Sequence, residues 1–435
     1  MQRSRKGGLF FLSTSNVASV IFWCLLLVKF VAADDDGSSS SSFAKTEGTH
    51  FVLNGKPFNF VGFNAYWFIY SASDPSSAAQ VTTAFQQASK YGMKVARTWA
   101  FKDGGPGALQ VKPGSYNEQV FKGLDFVIAE AKKYGVYLIL SLVNNYPDLG
   151  GRRQYVEWAK EEGQTTLASD DDFYTNTLIK GFYKNHVKTI LNRVNTLTGV
   201  AYKEDPTIFS WELMNEPHCE SDLSGTTFQN WAKEMATHVK SIDRNHMLEI
   251  GLEGFYGPSS KQLNPNGYIF GTDFITNNQI PDIDFTTIHV YADQWLHDLS
   301  DEEQVSFSKE WVNSHIHCLS GAVDDRQHQG PSPPPLKKPL VLAEFGKSSR
   351  LDKWYSPTKR DALFEALYDI LDASASKGGP FVGALFWQLL LDSPGMDGLR
   401  DGYEVVLAQS PSTANIIAHQ STKLSNYQAH LQPSL

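Results

Sequence analysis

Eight short apolar runs, most followed by a longer amphipathic stretch, recur along the chain and restrict its fold more than any other feature. The runs are Phe58–Phe63, Lys94–Trp99, Val136–Val143, Ile208–Met214, Met247–Leu252, Phe285–Tyr291, Pro339–Phe345 and Val382–Leu389. Most are continuously apolar rather than alternating, the pattern of parallel strands covered on both faces. Helical spacing marks Ser77–Tyr91, Glu118–Tyr134, Asp172–Thr196, Phe228–Ile242, Asp301–His317, Ser356–Ser376 and Ser412–His430. Lys90-Tyr-Gly92 and Lys133-Tyr-Gly135 each end a helix on glycine before the next strand. Residues 255–284, rich in Gly, Pro and Asn, leave the fifth helix undefined. This order predicts an α/β fold, a single (β/α)8 TIM barrel, with an N-terminal β-hairpin turning at Asn54-Gly55. A doubly wound sheet is the alternative, since periodicity does not separate closed from open parallel sheets. No Gly-rich dinucleotide turn follows the first strand to favour it.

Three segments divide the chain. Residues 1–33 have the form of a signal peptide: a basic start, an apolar run from Val17 to Val28, and Val31-Ala32-Ala33 before Asp34. Lys29 interrupts the run short of the roughly 18 continuous apolar residues that span a bilayer, which disfavours a retained membrane anchor. Residues 34–45 form an Asp/Ser-rich flexible linker and 46–435 the barrel domain. Within the latter, Pro331-Ser-Pro-Pro-Pro335 predicts an exposed loop before the seventh strand. The expected location is therefore extracellular, with no stable membrane association.

Charge narrows the partners. The signal segment carries four basic side chains and no acidic one, so its loss takes the net charge from −9 to −13. A surface that acidic repels phosphate backbones, which excludes nucleic acid and suits a neutral polymer. Cys24 lies in the signal segment, leaving Cys219 and Cys318. A barrel puts Cys219 on a top loop and Cys318 at the end of a helix that returns to the bottom, too far apart for the roughly 7 Å a disulfide allows. The two are expected to be unpaired. His315-Ile-His317-Cys318 looks like a metal clip, but residues two apart face different sides of a helix, and no metal site is expected. No cofactor motif is present, and none is expected.

In a (β/α)8 barrel, functional residues sit at the C-terminal ends of strands. Trp211-Glu-Leu-Met-Asn-Glu-Pro217 runs from an apolar strand into Asn215-Glu216, and Leu340-Val-Leu-Ala-Glu-Phe-Gly346 delivers Glu344 at the seventh strand. Two carboxylates at one barrel mouth are what retaining glycoside cleavage needs, one to protonate the leaving oxygen and one to attack. A lone strand-end glutamate is more often a salt-bridged surface residue, so the neighbours carry weight. Arg97-Thr-Trp99 supplies a guanidinium that orients a carboxylate and lowers its pKa. His289 and Tyr291, two apart on the sixth strand, share a face. Trp387, at the end of the eighth, offers a flat ring to a sugar.

With these residues in hand, the sequence resembles glycoside hydrolase family 5 of clan A, and most closely its plant-type endo-β-mannanases. The resemblance runs from Asn59-Phe-Val-Gly-Phe-Asn64 to Asp401-Gly-Tyr-Glu-Val-Val406. It is narrowed by Arg97-Thr-Trp-Ala-Phe101, Asn215-Glu-Pro217, His289-Val-Tyr-Ala-Asp293 and Phe386-Trp-Gln-Leu389. It implies endo-cleavage of β-mannan polysaccharides of the cell wall, with Glu216 as proton donor and Glu344 as nucleophile. The alternatives are the same fold cutting another β-1,4-glycan such as cellulose, and a wall-polysaccharide-binding protein that has lost turnover. Trp99, Asn215, Tyr291 and Trp387 would contact the substrate, with Asn215 at the 2-hydroxyl and Arg97 and His289 in support. Two departures stand out: Ser141-Leu-Val-Asn-Asn145 lacks the histidine many relatives carry after the third strand, and His218 replaces an arginine common after Asn-Glu-Pro. The resemblance carries two further expectations. Trp67, Trp99, Trp295 and Trp387 should line an open cleft, and Arg97 with Tyr291 should hold the pKa of Glu344 down.

Overall fold

The computed structural model describes residues 43–320, 335–352 and 354–430. The signal segment, most of the Asp/Ser stretch, and the Pro331–Pro334 part of the predicted loop lie outside these residues. Eight parallel strands form the barrel: β1 (Phe60–Asn64), β2 (Val95–Trp99), β3 (Tyr137–Ser141), β4 (Ile208–Glu212), β5 (Met247–Glu249), β6 (Thr286–Val290), β7 (Leu340–Phe345) and β8 (Phe381–Phe386). They pair in the order β5-β4-β3-β2-β1-β8-β7-β6. The gap between β5 and β6 is bridged by Asp284 N–H donating to Leu248 O (2.8 Å) and His289 N–H to Glu253 O (3.0 Å). The sheet is thus rolled into a nearly closed barrel, and the doubly wound alternative is set aside.

Helices α1 (Ala78–Lys90), α2 (Glu118–Tyr134), α3 (Thr177–Asn192), α4 (Thr226–Ile242), α5 (Phe274–Asn278), α6 (Asp301–Ser320), α7 (Pro357–Ser376) and α8 (Pro411–His430) alternate with the strands. Local chemistry sets their ends. Asn117 accepts a hydrogen bond from Gln119 N–H at the start of α2, and Gly135, left-handed at φ +66°, ends it. The segment expected as one helix over Asp172–Thr196 breaks at Asn176, whose side chain caps α3 by accepting from Leu178 and Ile179 N–H. Sequence periodicity missed the helix Gly151–Glu161 in the loop after β3, and α5 is only five residues long.

Apolar residues divide between two cores. One lies between strands and helices. The other fills the barrel interior with Phe60, Val95, Ile139, Phe209, Met247, Phe285, Val341 and Val382, and the hairpin adds Phe51 and Phe58 to it. Strand Lys45–Glu47 pairs with His50–Leu53, which pairs with Lys56–Pro57. Part of the segment expected as linker is packed: Ala44 is buried and Phe43 packs edge-on against His246. Phe51, fully buried, meets Phe209 (4.9 Å) and Phe285 (5.1 Å) edge-on, so the hairpin works as a plug.

Three register shifts interrupt the barrel pairing, and two of them bear on the site. Leu138 pairs with Ile208 and Ile139 with Ser210, leaving Phe209 as an extra residue in β4. Ile288 pairs with Leu342 and His289 with Glu344, leaving Ala343 extra in β7. A bulge of this kind reverses which face the subsequent residues present. Among the described residues no helix is long and apolar enough to cross a membrane, and Cys219 and Cys318 are free thiols. His315 is buried while His317 is exposed, in line with their different faces. Phe51→Ala should cost about 3–5 kcal/mol through loss of the plug, read as a lowered midpoint in urea, with KM unchanged because the site is at the opposite end of the barrel.

Candidate active site

The C-terminal strand ends open into a cleft of about 1980 Å³ lined by Trp99, Asn215, Glu216, Tyr291, Glu344 and Trp387 among others. At its floor lies Arg97, fully buried. Its five N–H groups meet five acceptor contacts. Nε and Nη2 donate to the two Glu212 oxygens at 2.6 and 2.8 Å, and Nη2 also to Asn215 Oδ1 at 2.6 Å. Nη1 donates to Glu344 Oε1 at 2.5 Å and to Asn64 Oδ1 at 3.1 Å. Trp99 covers the guanidinium, 4.8 Å from ring centre to Cζ.

Glu344 accepts a second hydrogen bond, from the Tyr291 hydroxyl at 2.6 Å. Glu216 Oε1 lies 2.6 Å from His289 Nδ1, which is 3.8 Å from Glu344 Oε2. One ligand atom from each of Glu216, His289 and Glu344 falls within 4.8 Å of the others. Such a trio has the reach to hold a cation, but the guanidinium on Glu344 already supplies the positive charge that a metal would bring. Glu216 has φ +47°, an uncommon value for a residue with a Cβ, held by its N–H donating to Gly251 O at 3.0 Å. Gly251 is required at that crossing: a Cβ there would lie 1.9 Å from Met214 O.

Burial pushes the Glu216 carboxyl up to about 8, with the charge of Glu253 adding to the effect. Burial also raises Glu344, against the opposing pull of His289 and Arg97. Arg97 and the Tyr291 hydroxyl do pull the Glu344 carboxyl down, as expected, but burial outweighs them and the net shift is upward. Arg97 gives Glu344 one N–H and Glu212 two. Burial works against Glu212 too, but the bidentate guanidinium more than offsets it and Glu212 lies below the usual range. Burial, with the charge of Glu212 beside it, pushes Glu249 well above that range. His289 is lowered to about 4 by burial and is a neutral imidazole near pH 7.

The structure brings Arg97, Trp99, Asn215, Glu216, His289, Tyr291, Glu344 and Trp387 to one mouth. Trp387 donates its Nε1–H to Asp401 Oδ2 at 2.6 Å and stacks on Tyr66, 5.7 Å away and 5° from parallel. Asn144 accepts from Asn215 Nδ2 at 3.0 Å, and Asn145 accepts from His218 N–H at 3.1 Å, so the two asparagines after β3 brace the end of β4. His218 lies flat on Phe270 (4.1 Å, 12°), and its Nε2 is 2.6 Å from Glu253 Oε2. Trp295 lines the cleft, but Trp67 does not: it is fully buried in the outer core with its Nε1–H on Leu389 O.

Sequence reasoning missed Tyr66, Tyr146, Glu253, Phe270 and Asp401, all of which line the cleft, and Glu212 and Glu249 beneath it. Glu212 and Glu249 did leave a signal, a charged residue inside an otherwise apolar strand. The loop residues left none.

A model of the family described as GH family 5 beta-mannosidase-like matches residues 41–390. The chain is 58% identical to mannan endo-1,4-beta-mannosidase 4 of Solanum lycopersicum over 88% of this chain and 92% of that relative. It is 54% identical to mannan endo-1,4-beta-mannosidase 7 of Arabidopsis thaliana, over 88% and 85% respectively. Among solved structures it is similar to an endo-1,4-beta-mannanase of Rhizomucor miehei, with TM-score 0.71 and 30% identity over 88% of this chain and all of that one. A hyperthermostable endo-1,4-beta-D-mannanase of Thermotoga petrophila is similar at TM-score 0.70 and 31% identity, over 84% and 99%. A barrel with two glutamates at the ends of β4 and β7, matched over most of its length by this model and these relatives, belongs to glycoside hydrolase family 5, among its β-mannosidase-like members.

Proposed function

We propose that this chain is an endo-acting β-1,4-mannanase that cleaves mannan, glucomannan and lightly branched galactomannan with retention, and that passes mannosyl units to sugar acceptors as well as to water. The observation that carries retention is the approach of Glu216 and Glu344 oxygens to within 4.8 Å. That is nearer the roughly 5–5.5 Å of retaining glycosidases than the 6.5–9.5 Å that inversion needs for an intervening water. Endo action is supported by the cleft's breadth. Tyr66 and Trp387 come from the β1 and β8 ends, His218, Phe270 and Trp295 from the β4, β5 and β6 ends across the mouth, so sugars are held on both sides of the cut.

Of the two carboxyls, Glu344 has the direct guanidinium contact and a phenol donor, so it sheds its proton first and attacks the anomeric carbon. His289, with its proton on Nδ1, donates to Glu216 Oε1 and leaves Oε2 to carry the acid proton toward the glycosidic oxygen. When the ester forms, the charge on Glu344 disappears and the pKa of Glu216 falls. It then serves as base toward water or a second sugar. Asn215 has one further Nδ2–H to offer the sugar 2-hydroxyl, and Trp387 underlies the ring.

The same reading sends the protein through the secretory route to the cell wall, because a polysaccharide too large to enter a cell must be met outside it. The mature N-terminus should be found near Asp34 in the medium, and an intact Met1 in a membrane fraction would refute release. Purified protein should lower the viscosity of galactomannan and glucomannan well before reducing ends accumulate, with little action on carboxymethyl cellulose, and NMR should show the β-anomer first. An initial α-anomer would sink the assignment of Glu344. Because Glu216 must begin protonated, kcat/KM on mannan should be retained below pH 8 and fall as pH rises through about 8. Glu216→Ala should lose about 10²–10⁴-fold on mannan but far less on a 2,4-dinitrophenyl mannooligosaccharide, whose leaving group needs no proton. Equal losses on both substrates would assign the acid elsewhere.

A further inference from the structure

Arg97 is the one cation in contact with Glu344 among the described residues, and Glu212 holds it with two of its five N–H groups. We propose that Glu212 is a positioning residue that sets the strength of the nucleophile: by taking two N–H groups of Arg97 it fixes the guanidinium in place and limits the positive charge that reaches Glu344. This rests on Glu344 being the nucleophile.

The geometry leaves little freedom. Arg97 and Glu212 are fully buried, on strands β2 and β4 that flank β3, and the bidentate contact at 2.6 and 2.8 Å fixes the plane of the guanidinium. Only Nη1 then reaches β7. Glu249 is the register partner of Glu212 on β5, and its Oε2 accepts from Gly251 N–H at 2.5 Å and Thr287 Oγ1 at 3.1 Å. Three buried carboxyls therefore adjoin one arginine. Of the three, Glu212 and Glu344 are the two that bond to Arg97, so Glu212 competes with Glu344 for its N–H groups. Glu344 thus receives a single N–H of Arg97, at 2.5 Å. The functional consequence is a more basic carboxylate, and a more basic carboxylate is a better nucleophile toward the anomeric carbon.

Among the described residues, the titratable groups that act on Glu344 are Arg97 from β2, Tyr146 after β3, Glu216 after β4, Glu253 after β5, and His289 and Tyr291 from β6 and its end, while Glu212 and Glu249 act on Arg97. Glu212 differs from the other carboxyls in holding Arg97 directly. Removing its charge both frees the guanidinium and lifts a repulsion, and both effects lower the pKa of Glu344.

The test reads Glu344 without the acid step. A 2-deoxy-2-fluoro-β-mannotriosyl fluoride reacts by attack of the Glu344 carboxylate on the anomeric carbon. The C–O ester bond forms as the C–F bond breaks, and fluoride leaves with the electron pair. Peptide mapping of the labelled wild type should place the sugar on Glu344; a label elsewhere overturns the nucleophile reading itself. With the label on Glu344, the midpoint of the inactivation rate against pH should move down by about one unit in Glu212→Gln. Glu212→Asp, which keeps the charge but reaches Arg97 less fully, should move it the same way by less. Glu249→Gln leaves both contacts to Arg97 intact and should leave the midpoint in place. Should Glu212→Gln not fold, Glu212→Asp decides alone. A midpoint unchanged in the folded Glu212 variants, or moved upward, overturns the proposal.

Discussion

Everything at the mouth of this barrel is arranged around one buried positive charge. Arg97 cannot shed its proton and has no solvent contact, so its burial is tolerable only where every N–H finds an acceptor. The acceptors come from β1, β4 and β7, through Asn64, Glu212, Asn215 and Glu344. A single side chain thereby fixes the ends of three strands relative to one another. Displacing any acceptor leaves an uncompensated charge in a dry site, and that cost keeps the geometry narrow. Asn64 strengthens the tie to β7 and extends it to β8, its Nδ2 donating to Ala343 O at 2.8 Å and Phe386 O at 3.3 Å.

A second ring of contacts holds the loops that carry the remaining groups. Asp293, buried after β6, accepts from Ser348 N–H at 2.7 Å and from the Tyr403 hydroxyl at 3.0 Å, and Tyr403 packs edge-on against Tyr291. Lys347, three residues beyond Glu344, donates to Gln304 Oε1 at 2.8 Å and pairs with Asp301 at 2.6 Å. The loops after β6 and β7 are thus stapled to α6 and to the segment after β8, which holds Tyr291 where it meets Glu344. Stability and chemistry occupy opposite ends of the molecule: the hairpin plugs one end with aromatic rings, and the other stays open as a polar cleft.

The elements were legible in the sequence because a buried parallel strand is an apolar run and a surface helix has an amphipathic period, and both signals are local. The same logic carried Glu216, Glu344, Arg97 and the His289 and Tyr291 pair, since a strand end in a barrel has a known direction. What it missed had a different origin. Tyr66, Phe270 and Asp401 sit on loops whose paths depend on distant partners, as in the stacking of Tyr66 on Trp387. Trp67 was expected in the cleft, but an aromatic residue carries no mark of which way its loop turns. The direction of the shift at Glu344 was missed because the sequence offers Arg97 without saying how deeply the fold buries the carboxyl beside it.

By itself, then, the sequence determined the number and order of strands, the family, and which residue types reach the barrel mouth. Tertiary structure decided which way two of those residues face. In β7, Val341 and Ala343 point into the barrel, so strict alternation would turn Glu344 outward toward the helices. The extra residue at Ala343 reverses the parity and brings Glu344 inward, opposite His289 in register. In β4 the extra residue at Phe209 does the same for Glu212, since Phe209 faces the interior while Trp211 packs in the outer core. A bulge exists only in the pairing of two strands, one carrying a residue more than its neighbour. No periodicity within a single strand records it, and for that reason the inward turn of Glu212 and Glu344 had to come from the fold.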